Sequence, residues 1–240
     1  MKIGLSSSTF VNNDTVNNLQ TMMKTMEEYA GRVDLLCFGE AFLQGFDAFS
    51  WTYDNDKNIA IDINNVIIIQ LKNKCIALNL AISFGYLERD NDNLYSSYLF
   101  IGNDGQIINN YRRVSIGWKE FRLTDHHYQE GNIIAPFTYY DKRIIPVLCG
   151  YLWNDEVLSK VNKIEKDFVL WPVYVNYDID SWLNGELDGY LEHVKVLGTV
   201  LLINSISNKP DAFGGCYHIR NGEIINQLPM GNDGVLIIEL

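Results

Sequence analysis

Ile144-Ile145-Pro146-Val147-Leu148-Cys149-Gly150-Tyr151 decides how the rest of the chain is read. It is a short, nearly unbroken apolar run, the pattern of a strand buried on both faces, and a strand is expected over 143–148. The run ends on a thiol, and a glycine follows. α/β folds collect their functional groups at strand ends of this kind. A cysteine placed there, with an unencumbered backbone N–H behind it, has the parts of a nucleophile facing a developing oxyanion. Taken alone, the residue reads more simply as a small buried hydrophobe, the commoner role of a free cysteine.

Two earlier segments repeat the arrangement of an apolar run closed by a polar group. Leu35-Leu36-Cys37-Phe38-Gly39-Glu40-Ala41-Phe42 puts a carboxylate directly after a strand expected over 34–38. A buried carboxylate is costly without a partner; the plain alternative for Glu40 is a cap on the next segment. Ile107-Ile108-Asn109-Asn110-Tyr111-Arg112-Arg113 puts two cations at the end of another strand. By itself that is the usual solvated strand end. Asn103-Asp104-Gly105 is a strong hairpin signal ahead of it.

The remaining elements follow from periodicity. Strands are expected at 3–7, 80–86, 94–101, 167–171, 199–204, 216–219, 223–225 and 235–239. Helices are expected at about 14–29, 61–78, 154–164 and 182–197, the second with Val66, Ile69, Leu71 and Ile76 inward. Residues 111–134 read as an irregular functional loop region. Hairpins mixed with crossovers imply mixed sheets covered by helices, not a plain doubly wound layer. No internal repeat or linker composition divides the 240 residues, so a single domain over 1–240 is the simpler reading.

Composition narrows the function classes. With 19 Lys+Arg against 30 Asp+Glu, the net charge of −11 disfavours nucleic acid and anionic membranes as partners. The longest apolar run, 168–175, is far short of a membrane span. None of Cys37, Cys75, Cys149 and Cys216 forms a CxxC pair or has zinc-ligand spacing with a histidine, so no metal site is read. The opening Met1-Lys2-Ile3-Gly4-Leu5 enters a strand rather than a secretory signal. A reduced, cytoplasmic setting is the expectation by elimination.

Together, Gly39-Glu40, Tyr111-Arg112-Arg113 and Leu148-Cys149 resemble, in order and spacing, the carbon–nitrogen hydrolase (nitrilase/amidase) superfamily. Leu170-Trp171-Pro172 with Ser181-Trp182 is similar to that family's Pro…Trp segment. Gly214-Gly215-Cys216 resembles its late Gly-x-Ser strand. The resemblance implies a four-layer αββα sandwich and a thiol hydrolase of non-peptide carbon–nitrogen bonds. Its substrate would be a small amide, carbamoyl amine or nitrile. Cys149 would be the nucleophile, Glu40 the general base and Arg113 the oxyanion-stabilising cation. The family's second glutamate is matched nearest by Glu120, with Asp125 the fallback. No cofactor is implied, and a homodimer is.

The departures bear on chemistry. The family's lysine is Arg113 here, and arginine effectively cannot give up its proton, so turnover is expected to be weakened. The late serine is Cys216. An inactive protein of the same fold that binds an amide or amine, or serves as an assembly subunit, is the alternative. Phe42, Tyr151 and Trp153 are aromatic candidates for the pocket.

Overall fold

Alternation along the strands sorts the core into layers. The computed structural model describes residues 1–240, the side chain of Ile116 excepted. In β1 (Lys2–Ser7) Ile3 and Leu5 enter one cluster, joined by Leu35 and Cys37 of β2 (Leu35–Cys37). Leu36, between those two, belongs to another. β8 (Phe168–Val173) does the same: Phe168 and Leu170 meet Ile3 and Leu5, while Val169, Trp171 and Val173 face away. Residues two apart share a strand face. Two sheets therefore enclose one apolar layer, and each carries helices on its outer face. This is the expected αββα sandwich.

The first sheet runs β14-β1-β2-β3-β4-β5, with β3 at Ala81–Asp90, β4 at Asn93–Ile101, β5 at Ile107–Arg112 and β14 at Gly234–Glu239. The second runs β13-β12-β9-β8-β7-β6, with β6 at Phe137–Tyr139, β7 at Lys142–Pro146, β9 at Thr199–Asn204, β12 at Cys216–Arg220 and β13 at Glu223–Leu228. β10 (Ile206–Asn208) and β11 (Asp211–Phe213) form a separate ribbon. Each sheet holds three parallel strands, β1-β2-β3 or β7-β8-β9. Each then adds two antiparallel strands on one side and one on the other. Five strands of each sheet, β1-β2-β3-β4-β5 and β7-β8-β9-β12-β13, thus share one topology, although no repeat is visible in the sequence.

The helices are α1 (Thr15–Tyr29), α2 (Tyr53–Asp56), α3 (Val66–Leu78), α4 (Asp155–Lys163), α5 (Ile179–Ser181) and α6 (Leu187–Val194). The Asp14 carboxylate caps α1 by accepting from the Asn17 N–H. α3 begins later than expected, at an Asn65 cap. Residues ahead of it are drawn to a strand instead: the Ile61 N–H donates to Leu87 at 3.1 Å, and the Ile61 carbonyl accepts from Arg89 at 2.9 Å. Its inner face is Ile68, Leu71 and Cys75; Val66, Ile69 and Ile76, expected inward, are exposed. The helix expected over 182–197 is interrupted. A π-turn over Trp182–Glu186, with Gly185 at φ +145°, separates α5 from α6. Among the described residues, no helix is long and apolar enough to cross a membrane.

Candidate active site

Glu40 sits where β2 runs out between its neighbours. A Cβ at Gly39 would lie 2.3 Å from the Ser205 Oγ, and one at Gly85 would lie 2.2 Å from the Ala41 N. Only glycine permits that approach. Ala41 follows at φ +48°, a left-handed turn that swings the chain away and leaves the Glu40 side chain buried.

Arg113 follows β5. Its N–H donates to the Ser96 carbonyl at 2.8 Å, and its own carbonyl accepts from the Gly131 N–H at 2.9 Å. The two adjacent cations part company here. Arg112 turns to Glu88 and Asp90 on the other side of the sheet. Arg113 turns inward, where Nη1 donates to Glu40 Oε1 at 2.8 Å and Nε donates to Ser115 Oγ at 2.9 Å. Both partners of the Glu40–Arg113 pair are buried. The expectation of a merely solvated strand end thus fails for Arg113.

Cys149 lies three residues past β7, at φ +43°, in a conformation that few non-glycine residues adopt. Its carbonyl accepts from the Trp171 indole N–H at 3.0 Å, and its Sγ lies 3.8 Å from the Tyr174 carbonyl oxygen. Gly150, next in the chain, is close enough to Arg113 that a Cβ there would be 3.5 Å from Nη2. Cys37, Cys75 and Cys216 are buried, whereas Cys149 is partly exposed. The sequence-expected Glu40, Arg113 and Cys149 are therefore brought together.

The electrostatics describe a resting pair beside a neutral thiol. Burial raises the Glu40 pKa above the ordinary carboxylate range, with the Arg113 charge, the Cys149 thiol and the Tyr174 main-chain N–H pulling it partly back. Burial pushes the Cys149 thiol up to about 12; the Glu40 charge adds to this and Arg113 opposes it. Burial works against the Arg113 charge, but Glu40 and Cys149 more than offset it. Glu40 Oε2 is buried and has no hydrogen-bond partner, which leaves it open to accept a proton.

Glu120 does not join this group. Its side chain is exposed, and its carbonyl accepts from the Leu123 and Thr124 N–H groups, so the turn points it outward. Asp125 is equally remote, engaged with the N–H and ring of His127 at 3.0 and 2.9 Å. Phe42 is core, packed on Phe10 and Phe38. Sequence reasoning missed Trp118, Trp51 and Phe49, which with Glu40 and Arg113 line a cavity of about 30 Å³. It missed the Tyr174 carbonyl as well, whose only signal was its place two residues after Leu170-Trp171-Pro172.

The carbon–nitrogen hydrolase family model matches residues 3–170. The chain belongs to the carbon–nitrogen hydrolase family. Membership places it among enzymes that hydrolyse carbon–nitrogen bonds. No curated protein matches the sequence. A carbon–nitrogen hydrolase from Helicobacter pylori G27 superposes with TM-score 0.81 at 11% identity, covering 99% of this chain and 87% of that one. A mutant amidase from Nesterenkonia sp. AN1, showing the result of Michael addition of acrylamide at its active site cysteine, gives 0.78 at 14%, over 100% and 93%. A glutamine-dependent NAD+ synthetase from Acinetobacter baumannii gives 0.76 at 17%, over 98% of this chain; the chain spans 44% of that protein's length. At such identities the likeness is one of fold.

Proposed function

We propose that this carbon–nitrogen hydrolase cleaves small non-peptide amides through a Cys149 thioester. The observation that carries the reading is the buried Arg113–Glu40 ion pair beside a partly exposed cysteine in a left-handed turn. Glu40 takes the Cys149 proton as sulfur bonds to the amide carbon, and the carbonyl electron pair moves to oxygen. The thiol is neutral at rest, so proton removal accompanies attack rather than preceding it. Arg113, fixed by Glu40 and Ser115, offers its remaining N–H groups to the oxyanion together with backbone N–H groups near Gly150. Collapse expels ammonia or an amine, which receives the proton back from Glu40. Water, deprotonated by Glu40, then hydrolyses the thioester. Arginine cannot shuttle protons, so Glu40 carries every transfer.

Two directed contacts from the Arg113 guanidinium, to Glu40 and to Ser115, favour a site adapted to arginine over one damaged by it. The amidase neighbour, with a cysteine reactive to acrylamide, supports an amide as substrate class. We also propose that the chain pairs with a second copy, as the resemblance implies. The function is tested by ammonia release from a panel of small amides. Turnover by wild type that Cys149→Ala abolishes is expected. No release from any amide or nitrile, with Cys149 still alkylated selectively, would leave a binding role.

A further inference from the structure

The small cavity beside the ion pair is walled by two loops that lie far apart in the sequence. Phe49 and Trp51 come from the first and Trp118 from the second, with Glu40, Arg113 and Ser96 among the other residues that line it. The rings brace one another: Phe49 meets Trp51 edge-on at 5.9 Å between centroids, and Trp118 lies 6.3 Å from Trp51. A buried carboxylate that the mechanism does not use ties the loops together. Asp56 Oδ2 accepts from the Trp51 N–H at 2.9 Å and from the Tyr128 hydroxyl at 2.7 Å, while Oδ1 accepts from the Ser50 N–H and hydroxyl, both at 2.8 Å. Tyr128 in turn packs against Phe49, Trp51 and Trp118. The wall is therefore fixed before any substrate arrives.

Two of the residues lining this cavity carry a buried polar atom that no protein group satisfies. Glu40 engages Arg113 through Oε1 and keeps Oε2 without a partner. The Trp118 indole N–H is buried and likewise without one. Buried polar groups are seldom left so. An indole N–H only donates, and an ionised carboxylate only accepts. Between them they suit a molecule that accepts one hydrogen bond and donates another. The volume limits its size. About 30 Å³ has room for a water or two, since a water needs about 10–15 Å³ and two to four polar partners.

We propose that the Trp118 indole N–H and Glu40 Oε2 hold the water that hydrolyses the thioester, and that the aromatic wall selects water over larger nucleophiles. The indole donates to the water oxygen, one water O–H donates to Oε2, and the second lone pair is left to attack. The oxygen bonds to the acyl carbon, the water proton passes to Oε2, the carbon–sulfur bond breaks, and Glu40 returns the proton to sulfur. This rests on the thioester reading above. The test uses p-nitrophenyl acetate, whose leaving group needs no proton. Release of p-nitrophenolate reports acylation, and intact mass reports the acetyl group held on Cys149. In Trp118→Phe, hydrolysis is expected to slow by about tenfold or more relative to acylation, because the water is no longer oriented. The acetyl adduct should then build up where wild type shows little. Wild type gives a second reading that no folding defect can disturb. Methylamine is expected to divert more of the acetyl group to amide than n-butylamine, an amine of like basicity and greater length. Trp118→Phe with no more adduct than wild type would overturn the water site. So would as much adduct in Phe49→Leu, which thins the same wall without removing a donor, or equal diversion by the two amines. Wild type that releases no more p-nitrophenolate than Cys149→Ala would overturn the thioester reading itself, and the water site with it.

Discussion

Arg113 is the residue whose chemistry is least interchangeable. Its guanidinium reaches Glu40 and Ser115 at once, and a lysine ammonium at the same place has one nitrogen for both. A charge-assisted hydrogen bond contributes about 1.5–3 kcal/mol, so Arg113→Lys is expected to lower kcat/KM by roughly 10–100-fold in the ammonia assay. A rate that rises instead would restore the expectation that arginine impairs the site. Glu40 sets the pH dependence. Its folded pKa lies above the ordinary range, and only its ionised form accepts the thiol proton. Activity should therefore fall as pH drops through that raised pKa, at a higher pH than an ordinary glutamate would give. Glu40→Gln should remove about 10²–10⁴-fold of the rate. It should also lower the melting temperature, since Arg113 is then left buried and unpaired. A kcat/KM profile flat down to pH 4, or a Gln variant at near wild-type rate, contradicts this role. At this scale the sequence was informative about Glu40, Arg113 and Cys149, because each closes an apolar run. It was uninformative about Glu120, because orientation within the loop over 111–134 depends on turns with no periodicity to read. Trp118 was hidden for the same reason.

Among the elements, the close passage of β2 past β3 has the most direct bearing on function. The main chain at Ala41 occupies the space a side chain at Gly85 would need. Gly85→Ala must therefore displace the backbone that aims Glu40. Overpacking of this kind costs typically 1–3 kcal/mol, and the melting temperature and kcat should fall together. A variant that loses stability with unchanged kcat would separate the strand from the site. Strands were legible because β-branched runs bounded by Asn, Asp and Gly state their own limits, as in 199–204 and the 103–105 hairpin. The inner face of α3 was not. Val66-Ile67-Ile68-Ile69 is apolar at four successive positions, so the sequence holds no polar side to define its rotation. Packing against α1 settles it instead. The π-turn before α6 was equally invisible, because Gly185 is compatible with a plain helix at modest cost.

For the molecule as a whole, the proposed pairing predicts twice the chain mass by light scattering at micromolar concentration, and a monomer mass would refute it. Exposed Leu183 and Val196, at 60% and 48%, lie on the helical layer of the second half. Isologous twofold contact is the commonest way a chain pairs with itself. The shared topology of the halves has a different meaning for the reaction. Glu40 and Arg113 belong to the half built on β1–β5, and Cys149 to the half built on β7–β9. The acid–base pair and the nucleophile are therefore mounted on separate plates, with the apolar filling between the sheets as the spacer. Because proton transfer demands hydrogen-bond reach, the thickness of that filling acts as a calibration of the enzyme. Side chains such as Leu5, Leu170 and Leu201, which never meet substrate, hold the tolerance to which the reaction is machined.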